Sequence, residues 1–162
     1  MEHETRITEM SRLGVFIEES IKNGKDVNLT VTGDSMYPLF KSRVDTVLLT
    51  CPKNLRKYDI IFYRRESGQY VLHRVQKIKG ENLTLAGDNE TKKEYPVKFD
   101  QVIGKVKSFT RKGKRHSVNE LWYRIYSCLW CVFFPYRHIG MRMIFFVGRM
   151  KSKILKKGGK RK

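Results

Sequence analysis

Gln69-Tyr70-Val71-Leu72-His73-Arg74-Val75-Gln76-Lys77-Ile78 reads as one long strand, set between the turn-forming Glu66-Ser67-Gly68 and Lys79-Gly80-Glu81-Asn82. Valine, tyrosine, leucine and isoleucine are frequent in it, and each turn carries a glycine in a hairpin pattern. The two-residue period places Val71, His73 and Val75 on one face and Tyr70, Leu72 and Arg74 on the other. An imidazole among valines is directed inward, where it needs a partner. Arg74, on the opposite face, reads as a surface or hairpin cation.

Working outward, Val27, Leu29 and Val31 alternate with polar residues, and further strands are expected at 45–50, 59–63, 83–86 and 101–109. A mostly antiparallel β-domain follows. Before it, Ile7, Met10, Leu13, Ile17 and Ile21 recur at helical spacing, with Gly24 placed to cap, so residues 4–23 are expected to form one amphipathic helix. The chain divides into this helix (1–24), the β-rich domain (25–110) and a basic aromatic tail (111–162). With 162 residues there is room for one domain with a substantial core.

The first expected strand delivers Thr32-Gly33-Asp34-Ser35-Met36-Tyr37-Pro38. A serine on a glycine-bearing loop with an imidazole downstream is the minimum equipment for nucleophilic peptide cleavage, because the hydroxyl is inert until a base takes its proton. Ser35 is thus the candidate nucleophile and His73 the candidate base; imidazoles as a class titrate near ~6.5 and accept protons at neutral pH.

Charge is unevenly spread. The formal net charge is +18, from 34 Lys and Arg against 16 Asp and Glu. Residues 111–162 hold fifteen of those bases and one acid, Glu120. A polyanionic neighbour follows, either nucleic acid or an anionic membrane surface. The tail bases alternate with Leu121, Trp122, Tyr123, Ile125, Leu129, Trp130, Phe133 and Phe134, which favours short amphipathic helices lying in a lipid headgroup region. There Trp122, Trp130, Phe133 and Phe134 would meet lipid while Arg137 and Arg142 reach phosphates. The uncharged run 125–136 is too short to span a bilayer. Trp122, Tyr123, Tyr126 and Trp130 stacked on bases would be the nucleic-acid alternative. Met1–Glu4 is acidic and no apolar run of signal-peptide length follows, so a peripheral position on the cytoplasmic side of a membrane is expected.

In order along the chain, Ser35-Met36-Tyr37-Pro38 resembles the Ser-Met-x-Pro box of signal peptidase I, Lys57-Tyr58-Asp59-Ile60-Ile61 its Gly-Asp-Ile-Val box, and Gly87-Asp88-Asn89 its Gly-Asp-Asn box. His73-Arg74-Val75 falls where bacterial members carry Lys-Arg and the endoplasmic-reticulum type carries a histidine. The resemblance implies the coiled antiparallel β-domain shared with the self-cleaving SOS repressors, here with an N-terminal helix and C-terminal amphipathic helices. It implies a serine endopeptidase acting on a leader or signal-like peptide with small residues before the scissile bond. It assigns Ser35 as nucleophile, His73 as general base and Asp88 as the carboxylate orienting the imidazole, with Asp45, Asp59 and Glu94 as fallbacks and Met36 and Pro38 shaping the substrate floor. Two positions depart from the pattern: Gly33 stands where a hydroxyl residue often helps hold the oxyanion, and Tyr58 replaces a glycine.

No histidine sits with carboxylates or thiols at a metal-ligand spacing, and no glycine-rich phosphate loop is present, so neither metal nor cofactor is expected. Cys51, Cys128 and Cys131 read as reduced thiols, and His116 in its basic run reads as solvated.

Overall fold

A computed structural model describes the secondary structure of residues 2–136 and the side chains of residues 12–136. Of the residues assigned above to a membrane surface, Arg137 and Arg142 lie outside the described residues, as does all of 137–162. The element order is α1 (Glu2–Lys22), β1 (Val27–Thr30), β2 (Thr46–Thr50), β3 (Ile60–Arg64), β4 (Tyr70–Lys79), β5 (Asn82–Ala86), β6 (Glu94–Lys98), β7 (Val102–Arg111), β8 (Lys114–Ser117) and α2 (Leu121–Val132). All strand pairings are antiparallel. The sheet runs β1-β2-β7-β3-β4-β5-β6, with β8 added beside β7.

The fold class is mainly β, as the sequence pattern requires. Helix α1 ends where Gly24, at φ +73°, donates to Ile21 O while Lys25 donates to Ser20 O, the paired bonds of a glycine-terminated helix. Its buried residues Ile17 and Ile21 join Leu29, Val47, Leu49, Phe62, Leu72 and Phe109 in the larger core. Leu13, placed on the same apolar stripe by its spacing, is instead exposed.

The other face of the central strands forms a second core of Ile61, Tyr63, Val75, Leu83, Leu85 and Val97. Strand β4 is therefore covered on both sides, and this removes the expected solvent role of Arg74. Both His73 and Arg74 are 0% exposed. Two strands, β6 and β8, were not legible in advance. Pro96 lies inside β6, where a missing N–H is tolerated because β6 is the edge of the sheet. Strand β8 takes in Lys114, Arg115 and His116, the last half-buried where a solvated position is expected; the sheet thus extends beyond Thr110 to Ser117, and α2 packs on it through Tyr123.

Candidate active site

After β1 the chain turns away from the sheet, and residues 31–45 close a loop around Ser35. Val31 N donates to Asp45 O, Arg43 N to Val31 O, and Gly33 N to Ser42 Oγ at 3.0 Å. Gly33 adopts φ +84°, a left-handed conformation that glycine enters without steric cost. Asp45, buried, accepts from Lys41 N at 2.7 Å and Lys112 N at 3.1 Å, so it fastens the loop to the β7–β8 turn and is not available to a histidine. Asp59 is likewise a turn residue, accepting from Arg56 N at 2.9 Å.

Ser35 is half-buried, and its carbonyl accepts from Asn89 N at 2.7 Å. That bond ties the nucleophile loop to the Gly87-Asp88-Asn89 turn. The approach is close: a Cβ on Gly87 would stand 2.5 Å from Ser35 O. Glycine is required there by the contact.

Ser35 and His73 line one cleft of about 230 Å³, walled by residues 29–36 on one side and by Gln69–His73, Phe62, Arg65 and Glu90 on the other. Met36 lies beneath it, 1% exposed, as part of both the lining and the core. Pro38 is not among the residues lining this cleft, and its carbonyl accepts from Arg111 Nη2 at 3.2 Å.

Strand register decides which carboxylate reaches the imidazole. Arg74 pairs with Ala86, so Asp88, two residues on, falls to the Arg74 side of the sheet and away from His73. There both carboxylate oxygens receive the guanidinium, Nε to Oδ1 at 2.9 Å and Nη2 to Oδ2 at 2.7 Å. Nη1 of Arg74 donates to Tyr58 O, Tyr123 Oη and Ser127 Oγ. Burial works to lower the Arg74 guanidinium, but the Asp88 charge outweighs it and holds the group well above its ordinary value. The assignment of Asp88 as the residue orienting His73 therefore gives way to a buried ion pair that braces α2 against the sheet.

On the other face, Val75 pairs with Leu85 and Leu85 with Glu94, which carries Glu94 across the sheet to the His73 side. Glu94 Oε1 lies 3.2 Å from His73 Nδ1. Tyr63, the diagonal neighbour of His73 across β3, donates to Glu94 Oε2 at 2.7 Å and sits 3.3 Å from Nδ1. Arg65 donates from Nε to the same oxygen at 3.0 Å and from Nη2 to Oε1. Burial works to raise the Glu94 carboxyl, yet Arg65, Tyr63 and His73 together hold it below its ordinary value. The Tyr63 phenol is pushed far up by burial, and by its bond to Glu94, so it stays a donor.

With Nδ1 so occupied, Nε2 is the nitrogen left for proton transfer. Glu90 Oε1 approaches it to 3.3 Å without hydrogen-bond alignment, and Nε2 has no hydrogen-bond partner among the described residues. Contact with His73 lowers the Glu90 carboxyl. His73, Glu90 and Glu94 form a group with metal-ligand chemistry. One potential ligand atom from each lies within 4.8 Å of the others, a grouping that sequence spacing did not foresee, and the two carboxylates approach opposite ring nitrogens.

Glu90, Tyr63 and Arg65 were not singled out by the sequence, and Glu94 stood only as a fallback. The available signal was parity: Tyr63 lies two residues from Ile61, which pairs with His73. The tail residues Trp122 and Trp130 also make contacts within the fold. Trp122 packs edge-on against Phe109 and His116, while Trp130 stacks on Tyr126 and donates its indole N–H to Asp88 O at 2.9 Å. His116, half-buried, has Nδ1 2.9 Å from Glu120 Oε2.

No curated protein matches the chain. A family model described as Peptidase S24-like matches residues 4–107, nearly all of α1 through β7, and the chain that holds Ser35 and His73 in one cleft accordingly belongs to the S24-like family of serine peptidases.

Proposed function

We propose that the protein is a serine endopeptidase in which Ser35 is the nucleophile, His73 the general base and Glu94 the carboxylate that holds the imidazole. The observation carrying this reading is the shared cleft of Ser35 and His73, with Nδ1 of the ring held by Glu94 and Tyr63. Ser35 Oγ attacks the peptide carbonyl as Nε2 takes its proton. The tetrahedral intermediate collapses when that proton passes to the leaving amine, and water, activated by the same nitrogen, then hydrolyses the acyl-enzyme. The negative Glu94 stabilises the imidazolium formed between these steps. Glu90 must leave Nε2 before either proton transfer, since the atom cannot serve both.

The substrate is an extended peptide of the leader or signal-like kind. Among the described residues strand β1 is an edge of the sheet, paired with β2 alone, and the chain that follows it walls the cleft. An added strand along this edge would lead its carbonyls to Ser35. The small cleft suits the small side chains that the resemblance to signal peptidases implies before the scissile bond.

The test compares new protein N-termini in cells making the wild type, Ser35→Ala or His73→Ala at equal levels. Termini found only with the wild type are expected. Identical profiles from three folded proteins, repeated with a purified library of small-residue peptides, would remove the peptidase reading.

A further inference from the structure

Helix α2 is built inside out. In a helix on the surface of a globular domain, apolar residues face the core and polar ones face water. Here the inward face carries Tyr123, Tyr126, Ser127 and Trp130, whose hydroxyl and indole groups bond Arg74 or Asp88. The outward face is a stripe of Leu121, Ile125, Leu129, Val132 and Phe133, at spacings of four, four, three and one, and each is between 51 and 71% exposed. Nothing polar interrupts it.

The surroundings of the stripe are mainly cationic, Asp59 in the adjoining groove being a carboxylate bonded to Arg56 N. Arg124 lies on the helix itself, Arg56 and Lys57 flank it across a shallow groove shared with Leu121 and Ile125, and Lys93 stands 4.5 Å over the Phe134 ring at its end. The one acid in residues 111–162, Glu120, is turned back to the Ser117 N–H, His116 and Trp122. Beyond Tyr136 the sequence continues with ten further Lys and Arg and no acid.

We infer that this outer face of α2 docks on an anionic lipid bilayer, lying in the plane of the headgroups with its apolar stripe toward the acyl chains. An apolar strip bordered by cations is the form of an interfacial helix. Among the described residues no helix is long and apolar enough to cross a membrane, so α2 lies on the surface. Nucleic acid fits the charge but fits the stripe less well, because a mainly aliphatic strip offers bases little to stack on, while Tyr123 and Trp130 are bonded inward to Arg74 and Asp88. A second copy fits the stripe but not the charge, since facing α2 to α2 sets Arg124, Arg56 and Lys57 against their own kind. Of the residues the sequence suggested, Phe133 lies on the stripe and Trp122, 37% exposed, borders it, while Trp130 is turned toward Asp88. This inference does not depend on the peptidase reading, and Ser35→Ala protein serves equally well in its test.

The experiment is flotation of the full chain with vesicles of phosphatidylcholine alone or of phosphatidylcholine and phosphatidylglycerol in equal parts. It compares wild type with the double variant Ile125→Glu, Leu129→Glu, which touches none of the Arg74 or Asp88 contacts. Wild type is expected to float with the anionic vesicles and the double variant to bind them about tenfold or more weakly. Ile125→Trp, which keeps the face apolar, is expected to show tryptophan quenching by brominated anionic lipid beyond that of the wild type. Equal binding by the double variant would assign attachment to tail charge and overturn the docking face, as would absence of the added quenching. A wild-type dimer that the double variant dissociates would assign the face to a second copy. Lower thermal stability of the double variant without lipid would assign it to this chain's own tail. Loss of oligonucleotide binding, without loss of vesicle binding, would assign it to nucleic acid.

Discussion

Glu94 Oε1 stands 3.2 Å from His73 Nδ1, while Asp88, nearer in sequence, gives both of its oxygens to Arg74. The two carboxylates thus have separable duties, and two variants read them apart. Glu94→Gln keeps the size of the side chain but removes the charge that stabilises the imidazolium, so kcat is expected to fall by about 10²–10⁴ with KM little changed. Asp88→Ala leaves a buried guanidinium without its counter-ion and is expected to cost about 3–5 kcal/mol of stability. Kinetics on a Ser35-dependent peptide, paired with denaturant unfolding, would show the reverse pattern if Asp88 were the orienting group.

Acid sensitivity follows from the same residues. The Glu94 carboxyl is held below its ordinary value of 4.5, chiefly by Arg65 and Tyr63 against the opposing effect of burial, and Glu90 is lowered by His73. A lowered carboxyl means that the unfolded chain takes up the proton first. The associated stability is complete above the ordinary value and is lost as pH falls through the lower, folded one. Melting temperatures recorded downward from neutral pH should therefore drop below pH 4.5 more steeply for the wild type than for Glu90→Gln, Glu94→Gln. Parallel curves would show that these carboxyls keep their ordinary affinity in the fold.

The brace between α2 and the sheet gives a stability prediction independent of catalysis. Ser127, 2% exposed, accepts from Arg74 Nη1 at 2.7 Å. Ser127→Ala withdraws an acceptor from a buried cation and is expected to cost about 1.5–3 kcal/mol, the range for hydrogen bonds to charged groups. Urea unfolding measures it; an unchanged midpoint would mean that Tyr123 and Tyr58 O satisfy the guanidinium without the serine.

The antiparallel β-domain was legible because strand periodicity and glycine turns repeat along it, and the Ser35 and His73 positions because their motifs are local. What escaped was long-range. Asp88 and Glu94 are six residues apart, and only the pairings of β4 with β5 and β5 with β6 decide which of them shares a face with His73. Half of that answer was present in the period-two reading, which set Arg74 opposite His73; following parity through Ala86 to Asp88 joins Asp88 to Arg74. Glu94 was hidden because Pro96, which cannot donate to a ladder, weakens the strand signal of β6, and because the bulge between Leu83 and Leu85 resets the count. Arg74 itself misled because burial of a cation depends on Tyr123 and Ser127, about fifty residues away.

Gly87 is the tightest point between the two loops of the site. A Cβ there would meet Ser35 O at 2.5 Å and the Glu90 side chain at 3.1 Å. The side chain has room to yield, but the carbonyl is backbone and is already bonded to Asn89 N at 2.7 Å. Gly87→Ala therefore displaces either the 87–90 turn or the nucleophile loop. The strain is expected to cost about 1–3 kcal/mol in unfolding experiments. Because Ser35 sits on the displaced contact and a shift near 1 Å in a reacting group can cost about 10²-fold, kcat/KM measured well below the melting temperature is expected to fall by more than tenfold. Ser35 Oγ reactivity toward a fluorophosphonate probe should fall in parallel, as it reports the nucleophile without a bound peptide. A variant that is less stable yet labels and cleaves at the wild-type rate would show that the turn moves alone, leaving Ser35 where the 31–45 loop holds it.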